Sequence, residues 1–200
     1  CKALLDAMPT DTELDLVQAL AAPLPVMVIA EMLGVEDGDM ATFKGWSDEI
    51  FSNIGEILFG TPSSESELAS QEMNTYFLQR INDIRRHPKE HLLGQLVATK
   101  TEDGKLDDEE LLSFCRLLLI AGNETTTGLI TASARIFHEE PDTLVQLKQN
   151  PQLAKIFVEE ALRFYSPFSA TVRRTTKDVE IAGQAIAAGE LVIPLLASAN

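Results

Sequence analysis

The sequence predicts a mainly α-helical protein with a small β region near its C-terminal end, and three observations carry that expectation. The stretch Leu106 to Glu140 opens with helix-start signals and meets no proline before Pro141. Through most of the first hundred residues, apolar side chains recur at helical spacing. Beyond Pro167 the pattern changes to period two, with glycines at the bends.

The long stretch comes first because the others are arranged around it. Asp107, Asp108, Glu109 and Glu110 form an acidic start in which Asp107 can cap and the carboxylates meet the positive end of the helix dipole. One helix of about 33 residues, roughly 50 Å long, is the economical reading. Leu117 to Ile120 are apolar on every side, which predicts a buried helix. In its middle sits AGNETTT, Ala121 to Thr127, where a glycine and three threonines are poor helix formers. Glu124 adds a charge where a core would take leucine. Conflicts of this kind gather at functional sites. The Thr125 hydroxyl, one turn after Ala121, can bond back to the Ala121 carbonyl and open a small-walled notch. A core helix whose Gly and Ala merely admit a crossing helix, with Thr125 back-bonded and Glu124 in a salt bridge, explains the same residues. Both readings stay open at this point.

Two hundred residues with 45% apolar content suit one domain with a real core. The net charge of −15 argues against nucleic acid or an anionic membrane as partner. No apolar window approaches the ~18 residues of a membrane span. The chain opens at Cys1 and stops at Asn200, so the expectation is an internal piece of a longer protein. Its two cysteines, Cys1 and Cys115, supply neither a disulfide framework nor a zinc site, and Cys115 reads as a buried, inert thiol. His87, His91 and His138 lack metal-ligand spacing, and the first two read as solvated loop.

In chain order, residues 2–20 are mixed, with TELDLV at 12–17 read as extended. Pro23 and Pro25 lead into a short apolar helix ended by Gly34. A second helix is expected from Asp37 to Leu58, with Phe43, Trp46, Ile50, Phe51 and Ile54 on one face, then a loop at 60–67. Helical spacing resumes from Glu65 to Arg86 through Leu68, Met73, Phe77, Leu78, Ile81 and Ile84. HLLGQLVATK makes a short helix and TEDGK at 101–105 a loop. After the long helix, Pro141 starts a helix through Gln149, and Asn150–Pro151 cap and start the next, ending before Pro167. FSATVRR, DVEIAG and GELVIPLL then read as strands, with Gly183 and Gly189 at the bends.

On helix 151–165, Glu160 and Arg163 are three apart and share a face. Projection at 100° per residue puts Glu160 inside the apolar arc of Leu153, Ile156, Phe157, Ala161 and Phe164. A buried Glu160–Arg163 pair is therefore expected, with Glu159 at the surface. Arg173 and Arg174 begin the apparent hairpin. They serve either as edge-strand charges or as partners for an anionic cofactor group.

AGNETT at 121–126, EALR at 160–163, RRTTKDVEIAG at 173–183, IAAGELV at 186–192 and the terminal ASAN together resemble the cytochrome P-450 monooxygenases of soluble bacterial type. The likeness extends upstream through PLPVMVIAEMLGV at 23–35 and covers essentially the whole chain. It implies part of a single cytochrome P-450 domain over 1–200, lacking the N-terminal helices and the haem-cysteine loop. It further implies haem as cofactor, dioxygen and a lipophilic small molecule as substrates, and NAD(P)H electrons through a ferredoxin- or flavodoxin-type donor. A cytoplasmic location without membrane attachment goes with it. Thr125 resembles the threonine that hydrogen-bonds dioxygen at the haem, and Glu124 the acid that feeds protons. Ala121 and Gly122, with Thr125 and Thr126, would line the haem, and Arg173 matches the haem-propionate position. Glu160 and Arg163 resemble the structural pair of the family. By position Leu117, Ile120 and Ala121, with Ser169, Ala170, Thr171 and Val172, would line the substrate pocket. The haem-ligating cysteine is expected beyond residue 200, and with it any thiolate-type spectrum.

Two alternatives stay beside this reading. One is the same fold with altered chemistry, as a peroxygenase, dehydratase or isomerase; the other is a non-enzymatic α-helical binding scaffold. The Glu124–Thr125 pair favours dioxygen activation, since peroxide-using enzymes need no such proton relay.

Overall fold

In the computed structural model, which describes residues 1–52, 63–101 and 104–200, helices dominate and short antiparallel strand pairs gather near the end. The chain folds as two compact units, Cys1–Thr127 and Gly128–Asn200. The helices are α1 (Lys2–Asp6), α2 (Pro23–Leu33), α3 (Met40–Ser52), α4 (Ser64–Arg86), α5 (Leu92–Ala98), α6 (Asp108–Glu139), α7 (Pro141–Gln149) and α8 (Ala154–Tyr165). The expected long helix is α6, which contributes residues to both units. Its start is a reciprocal cap: Asp107 Oδ1 accepts the Glu110 N–H at 2.8 Å, and Glu110 Oε2 accepts the Asp107 N–H at 2.9 Å.

In the first unit, α2 packs on α3 and α5, and α4 packs on α3 and α5. Their apolar faces meet in one core: Ile29 and Leu33 of α2, Phe43 and Trp46 of α3, Met73, Phe77 and Ile81 of α4, and Leu93 of α5. Helix α2 begins at Pro23, earlier than its second proline, and ends at Gly34 with φ 71°. That left-handed turn favours glycine. Space requires it as well, because a Cβ there would lie 2.3 Å from His91 Nε2. His91 is accordingly no solvated loop residue. Its Nδ1 accepts the Gly94 N–H at 3.2 Å and caps α5. Burial, with Arg80 and Lys89 nearby, lowers the imidazole pKa, in keeping with a neutral acceptor nitrogen.

Other expectations shift. TELDLV forms no strand; residues 13–15 are irregular, and a π-helical turn follows at Val17–Ala21. Leu68 turns outward from α4 while Ala69 takes the buried position beside it. The loop at 101–105 carries two short paired strands, β1 (Lys100–Thr101) and β2 (Gly104–Lys105). The expected extension of the second helix to Leu58, with Ile54, and the loop residues 60–62 lie outside the described residues.

Helix α6 is not buried all round. Within the first unit only Leu111, Cys115, Leu119 and Asn123 are buried, at intervals of four, while Leu117 is 61% exposed. This is the stripe of an amphipathic helix, since apolar residues on every side do not bring protein to every side. At the end of the stripe Asn123 Nδ2 donates to Ser47 Oγ of α3 at 2.8 Å, a buried side-chain pair. Thr127 Oγ1 donates to the Ala21 carbonyl at 3.0 Å.

In the second unit, α6 and α8 are joined by the Phe137–Phe157 stack, with ring centroids 5.0 Å apart. Tyr165 donates to Glu139 Oε2 at 2.5 Å, and Arg135 both pairs with Glu139 and lies over the tyrosine ring. Asn150 caps the 3-10 turn Pro151–Leu153 that leads into α8, as expected. The strands β3 (Arg173–Arg174), β4 (Val179–Ile181), β5 (Gln184–Ile186) and β6 (Leu191–Val192) pair as β3–β6 around the hairpin β4–β5. Gly183 turns that hairpin with φ 81°.

Replacing Asn123 by Ala strands the Ser47 hydroxyl in the core and is expected to cost about 1–3 kcal/mol. The double substitution Asn123→Leu with Ser47→Ala, which removes both polar partners, is expected to recover most of that loss. Urea unfolding of the single and double variants measures both.

Candidate functional site

The site builds from AGNETT on α6, within the first unit. Taking Asn123 as the buried direction, the helical turn of 100° per residue sets Ala121 and Thr125 on the opposite side. Ala121 is exposed and Thr125 half-buried. Thr125 Oγ1 donates to the Ala121 carbonyl at 2.8 Å, the back-bond expected from the sequence. With its proton committed there, Oγ1 offers lone pairs to a neighbouring donor, and rotation about χ1 would free the proton.

Gly122 departs from its expected place. A Cβ on it would meet Ile29 Cδ1 at 2.9 Å, so it is turned to α2 and permits close helix packing. Two parts of the crossing-helix reading thus hold, close packing at Gly122 and the Thr125 back-bond, and the back-bond is common to both readings. Thr126 is exposed. Glu124 is exposed and, among the described residues, is in no ion pair. It borders a polar cavity of about 260 Å³ with Gln18, Lys44, Asp48 and Ser52. Lys44 and Asp48 pair with each other one turn apart on α3. Of the expected pocket residues on α6, Leu117 and Ala121 are exposed, whereas Ile120 is half-buried and packs against the core.

In the second unit Arg173 is exposed on β3, opposite Val192. Its Nη1 donates to Thr171 Oγ1 and the Val172 carbonyl, each at 2.8 Å. No carboxylate among the described residues pairs with it, which leaves the guanidinium fit for an anionic group. Ser169 to Val172 are irregular and bond to residues 194–197, through Thr171 N–H to the Pro194 carbonyl and Ala197 N–H to the Ser169 carbonyl. Ser169 is exposed; Ala170, Thr171 and Val172 are half-buried.

Glu160 and Arg163 do form the expected pair, bidentate at 2.8 and 2.6 Å, but it is not buried. The side chains are 59% and 50% exposed. The projection placed Glu160 correctly among apolar neighbours. The error lay in taking that arc as covered, for Ile156 and Phe164 on it are themselves exposed. Arg163 holds the Glu160 carboxyl below its ordinary pKa, and Glu160 raises the guanidinium in return. Cys115 matches its expectation: it is buried, and burial pushes the thiol up to about 12. A thiol so held is protonated at neutral pH.

Sequence reasoning passed over Asn123 and Ser47. The available signal was Asn123 itself, a polar residue continuing the 111–115–119 stripe. Ser47 had none, being one small residue beside Trp46.

Because both members of the Glu160–Arg163 pair keep their water, Glu160→Gln is expected to move the thermal midpoint of this chain by no more than about 1 °C. A fall of many degrees in scanning calorimetry would show the pair to be covered.

The cytochrome P450 family profile matches residues 60–200. Putative cytochrome P450 YjiB of Bacillus subtilis (strain 168) is 38% identical over 94% of this chain and 48% of its own length. Vitamin D(3) 25-hydroxylase of Pseudonocardia autotrophica is 38% identical over 98% of this chain and 48% of its own. Among solved structures, CYP109E1 from Bacillus megaterium in complex with testosterone superposes with a TM-score of 0.88 at 38% identity, over 99% of this chain and 53% of that one. The chain spans about half the length of the curated relatives it matches. The helix order, the AGNETT helix and the small paired strands agree with that match, and the chain belongs to the cytochrome P450 family.

Proposed function

We propose that the protein containing this chain is a haem-thiolate monooxygenase that activates dioxygen to hydroxylate a lipophilic small molecule. The observation that carries the reading is the two-sided construction of α6. Its buried stripe ends at Asn123, whereas Ala121 and Thr125 stand opposite on an uncovered face with little bulk.

Each unit by itself offers groups suited to a haem. In the first, Ala121 and Thr125 supply small side chains on the face of α6 opposite Asn123, with Thr126 about 100° round the helix from Thr125. In the second, Arg173 supplies a cation that no carboxylate among the described residues pairs with, suited to a propionate. When bound, the haem supplies the redox chemistry of dioxygen activation. The task left to this chain is to move protons and exclude bulk water. Glu124 borders a polar cavity large enough for water, and its carboxylate can exchange protons there. Thr125 Oγ1, its neighbour in sequence, can accept a hydrogen bond from that side and pass a proton on by rotating off the Ala121 carbonyl. The pairing of acid and hydroxyl supports dioxygen rather than peroxide as oxidant.

The thiolate ligand is proposed to come from outside these 200 residues, since the Cys115 thiol is buried and protonated. Electrons would arrive from NAD(P)H through a ferredoxin- or flavodoxin-type donor, in the cytoplasm. No described helix is long and apolar enough to cross a membrane. Leu117, Ile120 and Ala121, with Ser169 to Val172, would meet the substrate. Relatives named for vitamin D(3) hydroxylation or solved with testosterone support a lipophilic one.

Two measurements test this. In the whole enzyme, Thr125→Ala is expected to sustain NAD(P)H consumption while product per NAD(P)H falls about 10- to 100-fold and peroxide rises; unchanged coupling would remove Thr125 from the relay. The isolated 200-residue chain mixed with haem is expected to show no stoichiometric thiolate-type absorption, and its appearance would refute an external ligand.

A further inference from the structure

Among the described helices that build the core of the first unit, α5 is the shortest, with seven residues. It packs on α2 and α4, and its Leu93 is fully buried. A helix of two turns does not hold itself in water, so its start depends on its cap and its packing.

That start is built closely. The His91 imidazole caps it, Nδ1 accepting the Gly94 N–H, and the same ring lies over Gly34 at the end of α2. A Cβ on Gly94 would come 2.0 Å from the Lys89 carbonyl oxygen, so the entering chain folds tightly over the first turn of α5. One side chain thus starts α5 and joins it to α2.

Both duties need the neutral ring. An accepting Nδ1 carries no proton, so the neutral imidazole bears its one proton on Nε2. A second proton would sit on Nδ1, aim N–H at N–H and end the cap. It would also add a positive charge beside two others. Arg80 of α4 donates from Nη2 to the carbonyl of the same Gly34 at 2.7 Å, and Lys89 lies two residues before His91. The carboxylates about it are engaged or exposed. Glu36 pairs with Arg80 and Asp83 of α4 with Arg86, while Glu31 of α2 and Glu90 are exposed. His87, at the end of α4, is exposed as well.

We propose that His91 is an acid-sensitive latch between α2 and α5, closed by the neutral imidazole and opened when the ring takes up a second proton. Opening frees the first turn of α5 and leaves α4 in the core. The device does not depend on the monooxygenase reading. Burial, Arg80 and Lys89 lower the folded pKa from the ordinary value of about 6.5. The unfolded chain therefore takes the proton first. The stability the latch contributes is complete above that ordinary value and is lost as pH falls from it through the folded pKa.

Hydrogen–deuterium exchange of the whole haem-loaded protein, corrected for intrinsic amide chemistry, tests this from about pH 7.5 to about pH 4.5. Protection over residues 92–98 should fall about 3- to 10-fold, the worth of a cap. The midpoint should match the His91 titration, read in the same protein from exchange of the ring C2 hydrogen. Protection over residues 77–84 of α4 should change by less than about twofold. In His91→Asn, which caps without titrating, the fall in α5 should vanish. A His91 pKa at or above its ordinary value would overturn the proposal, as would α5 protection that does not follow the His91 titration. An equal fall in α4, or the same fall in His91→Asn, would overturn it too. If that variant does not fold, the match or mismatch of the two midpoints in the native protein decides alone.

Discussion

The hydrogen bond between Asn123 and Ser47 sets what the rest of α6 can do. An apolar stripe alone specifies the rotation of a helix loosely, because leucines pack acceptably over a range of angles. A buried amide and hydroxyl tolerate no such range: a small roll would separate them and leave both without water. With that pair fixed at the end of the Leu111–Cys115–Leu119 stripe, the directions of the neighbouring residues follow from helical geometry. Ala121 and Thr125 must face away from α3, and Gly122 must face α2. Local sequence would not hold this segment helical by itself, since glycine and three threonines disfavour it. Tertiary contacts do, through Asn123 to Ser47, Thr127 to Ala21 and Gly122 against Ile29.

Close approach does similar service further along. A Cβ on Gly128 would come within 3.1 Å of Pro167 Cβ, so a second small residue of α6 admits the chain leaving α8. There Ser166 adopts φ 34°, an uncommon angle for a side-chain-bearing residue, and its N–H is satisfied by the Leu162 carbonyl at 2.9 Å. The Phe137–Phe157 stack and the Arg135–Glu139–Tyr165 cluster hold α8 over the same half of the helix. The small residues of α6 therefore have separate causes: helix packing at Gly122, a chain crossing at Gly128, and an open face at Ala121.

Much of this was legible in the sequence wherever a local rule decides the outcome. The cap at Asp107, the stop at Gly34, the Asn150–Pro151 start and the Gly183 turn each depend on a few adjacent residues. The Thr125 back-bond was legible for the same reason. What failed were inferences that passed from pattern to burial. Periodicity tells which residues are apolar and share a face; it does not tell what covers that face. Leu117, Leu68, Ile156 and Phe164 are apolar and exposed, and Glu160 among them is exposed too. His91 erred in the other direction. A polar residue in a polar stretch became a cap packed on Gly34, a contact made by a segment nearly sixty residues away.

The adjacency of Glu124 and Thr125 has a geometric meaning that their chemistry alone does not give. Consecutive helical residues diverge by 100°, so a carboxylate and a hydroxyl joined by one peptide bond open onto different surroundings. Glu124 meets the polar cavity walled by Gln18, Lys44, Asp48 and Ser52, while Thr125 stands on the face opposite Asn123. The helix itself is then the partition. A proton crossing from acid to hydroxyl would travel a few ångströms around its rim, and water in the cavity need not enter the space before Ala121. A catalyst that must receive protons yet keep its reacting face dry needs such a divide. Residues at i and i+1 on a helix provide it, whereas residues at i and i+4 would share one face and one solvent exposure. For the proposed reaction, the order Glu-then-Thr along α6 would let the acid meet water on one side while the hydroxyl faces another.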